Sequence, residues 1–332
     1  MDPIRQLIEE AKKHPARIVF PEGADEIMVR GATQAARLGI CKPVFVGSSA
    51  GLAPSFQRAD ASLDEVDLLD IASFPSFKTY VSACAEMRQV KEAIARRLML
   101  RPLYFGSMMV RLGDADGLVA GVATITSAVA KAAKLVIGVR EGLSVPSSFF
   151  IMVFENSPYG EHGSFLFADA GFNPNPNKEE LAQIAVTTAR SAQDLLGWTP
   201  RVAMLSFSTK ESAVHEMTLR VMEATAIAHE LAPEIAIDGE LQVDAAIDPR
   251  VAKRKLSESP VAGRANVLIF PDLNAGNIAY KIAQYLGGAK AYGPIFQGFN
   301  RPINDLSRGA GVDDVVGVTA VTVVQARKGK SD

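Results

Sequence analysis

The sequence predicts an α/β protein of two domains. Apolar runs of strand length alternate with segments whose apolar residues recur at helical spacing, and the connections are short. This order is typical of βαβ units in a parallel sheet. The chain has 332 residues, and single hydrophobic cores stop growing at roughly 250–300 residues. The β-prone runs 149–154 and 164–169 predict a hairpin that opens the second domain.

The first domain is predicted from strands and helices that alternate over the first 145 residues. Residues 16–20 are an apolar run that stops at Pro21, Asp25 can cap the next helix, and Gly39 closes it. No G-x-G-x-x-G follows this strand, which gives a dinucleotide site little support. The predicted strands are residues 16–20, 43–47 and 116–121. The predicted helices are residues 25–38, 77–100, 103–113 and an Ala-rich segment after Ser127, with residues 50–76 irregular.

The second domain is predicted from the same alternation after the hairpin. Asn177, with Glu180 three residues later, reads as a capped helix start, and this helix runs through Leu196 to Gly197. Further strands are predicted at residues 201–207, 235–239 and 266–270. Further helices are predicted to end near residue 231, at 241–255 as one helix or two, at 274–286 and at 312–326. The last helix is expected to return to the first domain, which gives boundaries of 1–145 plus about 297–332, and 146–296.

Composition excludes several classes of protein. The apolar fraction is 48%, the charged fraction is 22% and the formal net charge is −2, so no global charge favours nucleic acid or an anionic membrane. The N-terminus lacks the apolar core of a signal peptide, and no apolar run is long enough to span a bilayer. We therefore expect a cytoplasmic protein. The 2 Cys and 4 His show no metal-ligand spacing, and no metal site is expected.

Residues 290–314 stand out as the candidate functional segment. After a short apolar run, Gly, Asn, Pro, Asp, Ser and Arg predict a long irregular loop, which in a compact chain usually carries function. Ser307 and Arg308 place a hydroxyl and a guanidinium side by side, and Asp313 and Asp314 follow at a helix start. Together they indicate an anion site with a base beside it. On the residues alone, capping and structural ion pairing explain the same groups equally well.

Hydroxyl groups also follow the predicted strand 116–121. Thr124, Thr126 and Ser127 precede an Ala-rich helix that carries Lys131. Ligands of parallel sheets usually lie beyond the carboxyl ends of the strands, so these groups are candidate anion ligands.

Several long motifs, in order along nearly the whole chain, resemble those of the phosphate acetyltransferases (phosphotransacetylases), in their short, single-module form. The motifs lie at residues 105–110, 115–121, 206–210, 238–246, 270–278, 293–298 and 304–309. The resemblance implies two α/β/α domains with mainly parallel sheets, an active site in the cleft between them, and a homodimer. It also implies reversible acetyl transfer between CoA and phosphate, with acetyl-CoA, CoA, phosphate and acetyl phosphate as substrates and no permanently bound cofactor or metal.

The resemblance also implies roles for particular residues. Asp314 would take the proton of the CoA thiol, Arg308 would hold phosphate and the developing charge, and Ser307 would donate a hydrogen bond to substrate. These three are the expected catalytic residues, in a direct ternary-complex displacement without an acyl-enzyme. The expected substrate-binding residues are Arg88, Thr126, Ser127, Lys131, Ser206, Thr209, Asn277 and Asn304.

One departure from the family pattern concerns Lys131. It stands where relatives usually carry an arginine, and lysine keeps the charge but loses the planar fork that binds phosphate bidentately. Three other functions stay open at this stage: propionyl or butyryl transfer to phosphate, a non-catalytic acyl-CoA-sensing module, and a dehydrogenase of similar plan. A sensing module is disfavoured by intact Ser307, Arg308 and Asp314, and a dehydrogenase by the missing glycine fingerprint.

Overall fold

The computed structural model describes residues 2–256 and 258–329. The chain divides into two compact units. The terminal unit comprises Ile4–Arg140 and Phe299–Asp332, and the central unit comprises Glu141–Gly298 together with Met1–Pro3.

Helices and strands alternate along most of the chain. The helices are α1 (Pro3–Lys13), α2 (Glu26–Arg37), α3 (Ser49–Arg58), α4 (Phe77–Arg88), α5 (Glu92–Met99), α6 (Pro102–Leu112), α7 (Thr126–Ala132), α8 (Lys178–Leu196), α9 (Glu216–Leu231), α10 (Val243–Ile247), α11 (Pro249–Lys255), α12 (Leu273–Tyr285) and α13 (Val312–Lys328). The strands are β1 (Ala16–Phe20), β2 (Cys41–Val46), β3 (Asp67–Leu69), β4 (Gly117–Ala120), β5 (Ser147–Val153), β6 (Ser164–Ala168), β7 (Arg201–Leu205), β8 (Ala236–Leu241), β9 (Val267–Ile269), β10 (Lys290–Gln297) and β11 (Ile303–Asp305).

The terminal unit is built on a parallel sheet. Within the described residues its strand order is β11-β4-β1-β2-β3, and every neighbouring pair is parallel. The chain leaves β1 towards β2 and β3 and then returns to place β4 on the other side of β1. The strand order therefore reverses between β1 and β4, which is where open α/β sheets usually bind ligands.

Helix α13 is largely buried within the terminal unit. Its residues from Val315 to Val324 are buried, because a helix that is apolar all round must be covered on every face. It contacts α2, where Gly31 permits close approach: a Cβ there would lie 2.4 Å from the Cβ of Val315. This packing fixes the start of α13, where Asp314 lies.

The central unit contains a mixed sheet. Its strand order in the described part of the chain is β10-β5-β6-β9-β7-β8. The pairs β10–β5 and β5–β6 are antiparallel, and β6–β9, β9–β7 and β7–β8 are parallel. Its core includes Phe150 stacked on Tyr280 of α12, with ring centroids 4.1 Å apart. The predicted α/β class with mainly parallel sheets is thus confirmed, and so is the hairpin of β5 and β6.

Local signals located several elements correctly. Asp25 caps α2 by accepting a hydrogen bond from the Met28 N–H at 3.0 Å. Asn177 and Glu180 form a reciprocal capping box at the start of α8, in which two otherwise unpaired N–H groups are satisfied.

Three predictions about secondary structure were wrong. Residues 50–76 are not irregular: they contain most of α3, two short 3₁₀ turns and β3. The helix was not predicted because Pro54, a residue that usually interrupts helices, lies inside α3. The predicted helix 77–100 is broken by Gln89, whose φ is 51°, into α4 and α5.

The third error concerns the segment 290–314, which is not one long loop. It contains β10 and β11, and only residues 306–311 form the loop that leads into α13. The register of β10 shifts between Tyr292 and Ile295. The Gly293–Pro294 pair lies in this shift, where proline removes no ladder hydrogen bond. Strand β11 is polar in sequence yet buried, so its composition did not indicate a strand.

Candidate active site

The carboxyl ends of three neighbouring strands of the terminal unit lie together. β11, β4 and β1 are adjacent and parallel, so the residues that follow them meet at one edge of the sheet. Glu22 follows β1, Gly121 follows β4, and Leu306 follows β11. The segments 121–127 and 306–314, which the sequence selected for their hydroxyl and charged groups, both begin at this edge.

Glu22 binds the backbone at the end of β4. One carboxylate oxygen, Oε2, accepts hydrogen bonds from the N–H groups of Gly121 at 2.9 Å and Val122 at 3.0 Å. The other oxygen, Oε1, is buried and has no hydrogen-bond partner among the described residues. Glu22 therefore joins the ends of β1 and β4 across a sequence separation of 99 residues.

Asp305 ends β11 and is fully buried. Neither of its carboxyl oxygens has a hydrogen-bond partner of good geometry within residues 2–256 and 258–329. Burial raises the pKa of Asp305 to about 8, the nearby Thr126 hydroxyl and Leu306 N–H offset this in part, and the Glu22 carboxyl adds to the increase. Burial thus favours the protonated form of the Asp305 carboxyl.

The loop after β11 presents Ser307 and Arg308. The Ser307 carbonyl accepts the Ala310 N–H at 2.8 Å, which turns the loop, and its hydroxyl lies 3.4 Å from the Gly309 N–H. Arg308 is exposed. In the described part of the chain, nothing forms a hydrogen bond or ion pair with its guanidinium, which leaves its fork of N–H donors available for an anion.

Asp314 lies in the first turn of α13 and is half-buried. Its Oδ2 accepts the Gly311 N–H at 2.8 Å, so it closes the loop onto the helix. Burial raises the pKa of the Asp314 carboxyl above its ordinary value; the Gly311 N–H works against this shift and the Asp313 charge adds to it. A carboxyl with a raised pKa is closer in pKa to a thiol, so proton transfer from a thiol to such a group is less uphill. The capping role is present together with this base-like property.

The other predicted ligands of the terminal unit lie at different places. Thr126 begins α7 and approaches Asp305, whereas Ser127 and Lys131 are exposed on the same helix. Arg88 is exposed in the last turn of α4. Asn304 is fully buried and donates to the Thr322 hydroxyl at 2.8 Å and Gln325 at 2.7 Å, both on α13. Its amide nitrogen is used to hold α13 to the sheet.

In the central unit, the predicted ligands follow β7 and begin α12. Ser206 is half-buried just after β7. Thr209 is buried, and its hydroxyl donates to the Gln242 side chain at 3.2 Å and accepts the Gln242 N–H at 2.9 Å. Asn277 is half-buried and its amide donates to the Ala170 carbonyl at 3.3 Å. Thr209 therefore serves the loop after β7, and Ser206 is the more available of the two hydroxyls.

Gly276 is required by packing of the chain itself. A Cβ at this position would lie 2.4 Å from the Asp169 carbonyl oxygen. The start of α12 therefore approaches the backbone that follows β6 closely.

Two groups of the site escaped the sequence reasoning: Glu22 and Asp305. Glu22 stands directly after the first predicted strand, so the rule that ligands gather at strand ends could have selected it. Asp305 gave no such signal, because β11 was not recognised as a strand.

Similarity to known proteins decides the family. The model of the phosphate acetyl/butaryl transferase family matches residues 3–323. A phosphate acetyltransferase of Acetivibrio thermocellus is 45% identical over 328 residues, which cover 98% of both chains. One of Thermoanaerobacterium thermosaccharolyticum is 46% identical over 330 residues, covering 98% of this chain and all of the relative.

This chain belongs to the phosphate acetyl/butaryl transferase family. The family that the motifs indicated is thereby confirmed. A phosphotransacetylase structure from Streptococcus pyogenes matches with a TM-score of 0.90 and 38% identity, over 98% of this chain and 99% of the other. A branched-chain phosphotransacylase from Enterococcus faecalis, at 16% identity and a TM-score of 0.70, shares the fold.

The described residues contain neither a membrane-spanning helix nor a metal-binding cluster. None of the described helices has both the length and the apolar character needed to cross a bilayer. In the same residues, no three His, Cys, Asp or Glu side chains are grouped so that they could hold a metal ion. Cys41 and Cys84 are buried free thiols, and burial raises the pKa of Cys41 to about 12.

Proposed function

We propose that this chain is a phosphate acetyltransferase that transfers an acetyl group reversibly between CoA and inorganic phosphate. One observation carries the proposal. The loop that joins β11 to α13 presents an exposed Arg308 guanidinium, which is unpaired within the described residues. The first turn of α13 carries a half-buried Asp314 carboxyl whose pKa is raised by burial. A phosphate-binding cation on this loop and a base at the start of the next helix are the groups that thiol attack on acetyl phosphate needs. The near full-length similarity to phosphate acetyltransferases supports the same activity.

The proposed reaction is a single displacement in a ternary complex. Asp314 accepts the proton of the CoA thiol, and the sulfur attacks the acetyl carbonyl of acetyl phosphate. The new C–S bond forms, the C–O bond to phosphate breaks, and phosphate leaves with the electron pair. A free thiol has a pKa near 8.5, so a base nearby raises the thiolate fraction at neutral pH.

Arg308 and Ser307 stabilise charge in this step. The guanidinium binds phosphate oxygens bidentately, and the hydroxyl donates to the oxygen or sulfur on which charge develops. On the analogy of single oxyanion donors, loss of one such group costs about 3–4 kcal/mol in the transition state.

We propose fewer substrate-binding residues than were predicted from the sequence. Thr126, Ser127, Lys131 and Arg88 are proposed for phosphate and CoA in the terminal unit, and Ser206 and Asn277 in the central unit are proposed as substrate ligands. Asn304 and Thr209 are left out, because their polar atoms hold neighbouring elements. We further propose CoA as a substrate rather than a resident cofactor. A cytoplasmic location and a homodimer stay predictions.

Transfer of a butyryl group instead of an acetyl group is a second activity that has support. The matching family model covers butyryl as well as acetyl transfer. One methylene in an apolar pocket is worth only about 1–3 kcal/mol, so residue types alone do not separate the two.

A thiol-release assay tests the proposal. Purified chain is incubated with acetyl-, propionyl- or butyryl-CoA, with and without phosphate, and free CoA is measured. We expect phosphate-dependent release that is fastest with acetyl-CoA. Faster release with butyryl-CoA would replace the acetyl assignment, and no phosphate-dependent release with any acyl chain would exclude the enzyme in favour of a sensing module.

A further inference from the structure

Two buried carboxyl groups face the backbone of Gly121 from neighbouring strand ends. Glu22 accepts the N–H groups of Gly121 and Val122. Asp305 packs so closely that a Cβ on Gly121 would lie 2.2 Å from its Oδ1. The chain that continues from Gly121 carries Thr126, which also approaches Asp305. The start of this segment is therefore held between two acidic side chains.

These two carboxyls cannot both be charged without a large cost. The exposed fraction is 9% for Glu22 and 0% for Asp305. The groups that face Asp305 from neighbouring elements are the Glu22 carboxyl after β1 and the Thr126 hydroxyl of α7, with the Leu306 N–H from its own loop. Like charges in a dry site keep one of two carboxyls protonated. Glu22 accepts two N–H groups through one oxygen, Oε2, which holds it against the end of β4.

We propose that Glu22 and Asp305 are paired positioning residues that hold the backbone of residues 121–127 from two sides. The pair touches no reacting atom. It acts by placing Thr126 and Ser127, and only the link from these residues to phosphate rests on the proposed function.

The protonation of Asp305 gives the pair a defined pH dependence. An aspartate in the unfolded chain titrates near pH 4, whereas the pKa of Asp305 in the fold is about 8. Between these values the folded chain keeps a proton that the unfolded chain releases. Stability from this group is therefore complete below about pH 4 and is lost as the pH rises towards 8, with the unfolding constant rising by up to tenfold per pH unit. Above pH 8, Asp305 ionises beside the Glu22 carboxyl. The two side chains then repel each other and loosen their hold on the Gly121 backbone.

Asp305→Asn provides the first arm of the test, because asparagine has the size of aspartic acid and stays neutral. Asp64→Asn is the matched control: Asp64 is an exposed carboxyl near β3, at the opposite edge of the same sheet. Urea unfolding is measured at pH 5, 6, 7 and 8. We expect the unfolding constant of the wild type and of the control to rise with pH. In Asp305→Asn this rise should be smaller, by up to a factor of ten per pH unit. Parallel pH profiles in all three proteins would overturn the protonated state of Asp305.

Hydrogen exchange at the Gly121 and Val122 amides provides the second arm and does not depend on activity. Glu22→Gln weakens the acceptor, so exchange at these amides should be at least tenfold faster than in the wild type at pH 7. At pH 9, Asp305→Asn should exchange more slowly than the wild type. Unchanged exchange in Glu22→Gln would exclude a positioning role. Should that variant fail to fold, the comparison of Asp305→Asn with the wild type at pH 7 and pH 9 decides the same question.

Steady-state kinetics with phosphate provide the third arm. Glu22→Gln should raise the KM for phosphate about tenfold with kcat changed less than threefold. The kcat/KM of the wild type is expected to fall above pH 8, and Asp305→Asn should lack this fall. Unchanged kinetics in both variants would show that the pair does not position phosphate ligands. If the wild type shows no phosphate-dependent CoA release, only the proposed function is refuted. Urea unfolding and hydrogen exchange would still test the positioning role of Glu22 and Asp305.

Discussion

Gly121→Ala tests how closely β4 and the end of β11 approach each other. Gly121 has a φ of 116°, where residues other than glycine are strained by about 1–3 kcal/mol. The new Cβ would lie 2.2 Å from Asp305 Oδ1, 2.4 Å from the Leu306 nitrogen and 2.6 Å from the Leu306 carbonyl oxygen. Two of these atoms are backbone and cannot rotate away, and overpacking costs about 1–3 kcal/mol more. We expect the terminal unit to lose about 3–5 kcal/mol of unfolding free energy.

Gly113→Ala is the control for backbone strain alone. Gly113 has a φ of 85°, and a Cβ there would meet nothing within 4 Å, so its cost should be about 1–2 kcal/mol. Urea unfolding followed by far-UV circular dichroism reports on both units, and the fluorescence of Trp198 reports on the central unit. If Gly121→Ala loses no more stability than Gly113→Ala, the close contact between these strand ends is refuted.

Three further predictions concern catalysis. Asp314→Asn should lower kcat by about 10²–10⁴-fold with little change in the KM for CoA. In the wild type, the rate should fall as the pH drops through the raised pKa of Asp314, because a protonated carboxyl accepts no proton. Unchanged turnover in a thiol-release assay would exclude the base role. Arg308→Lys should lower kcat/KM for phosphate by about 10²–10³-fold, since a point charge replaces a bidentate fork; a change under threefold would remove Arg308 from the phosphate site. Lys131→Arg should lower the KM for phosphate, and an unchanged KM would show that Lys131 does not face it.

Local signals in the sequence located most helices and strands. The caps at Asp25 and Asn177 set the starts of α2 and α8, because each needs only a side-chain oxygen and an N–H two or three residues away. Such signals fail where long-range packing decides. The polar residues of β11 form a strand because β4 supplies its hydrogen-bond partners and α13 accepts its buried amide.

The residues of the proposed site divide in the same way. The motif around Ser307 and Arg308 is contiguous, so it could be recognised without the fold. The position of Asn304 could not, because successive strand residues point to opposite faces and only packing identifies what covers each face. Asn304 faces α13, whereas Asp305, the next residue, approaches Thr126 on α7.

The sequence by itself determined the α/β class, the family, and the short stretch that contains Ser307, Arg308 and Asp314. Each of these depends on residues that are close along the chain. Only the tertiary structure brought Glu22 and Asp305 to the two sides of Gly121, from opposite ends of the chain. The order of strands in the sheet decides which strand ends become neighbours. Burial between those ends then raises the pKa of the Asp305 carboxyl.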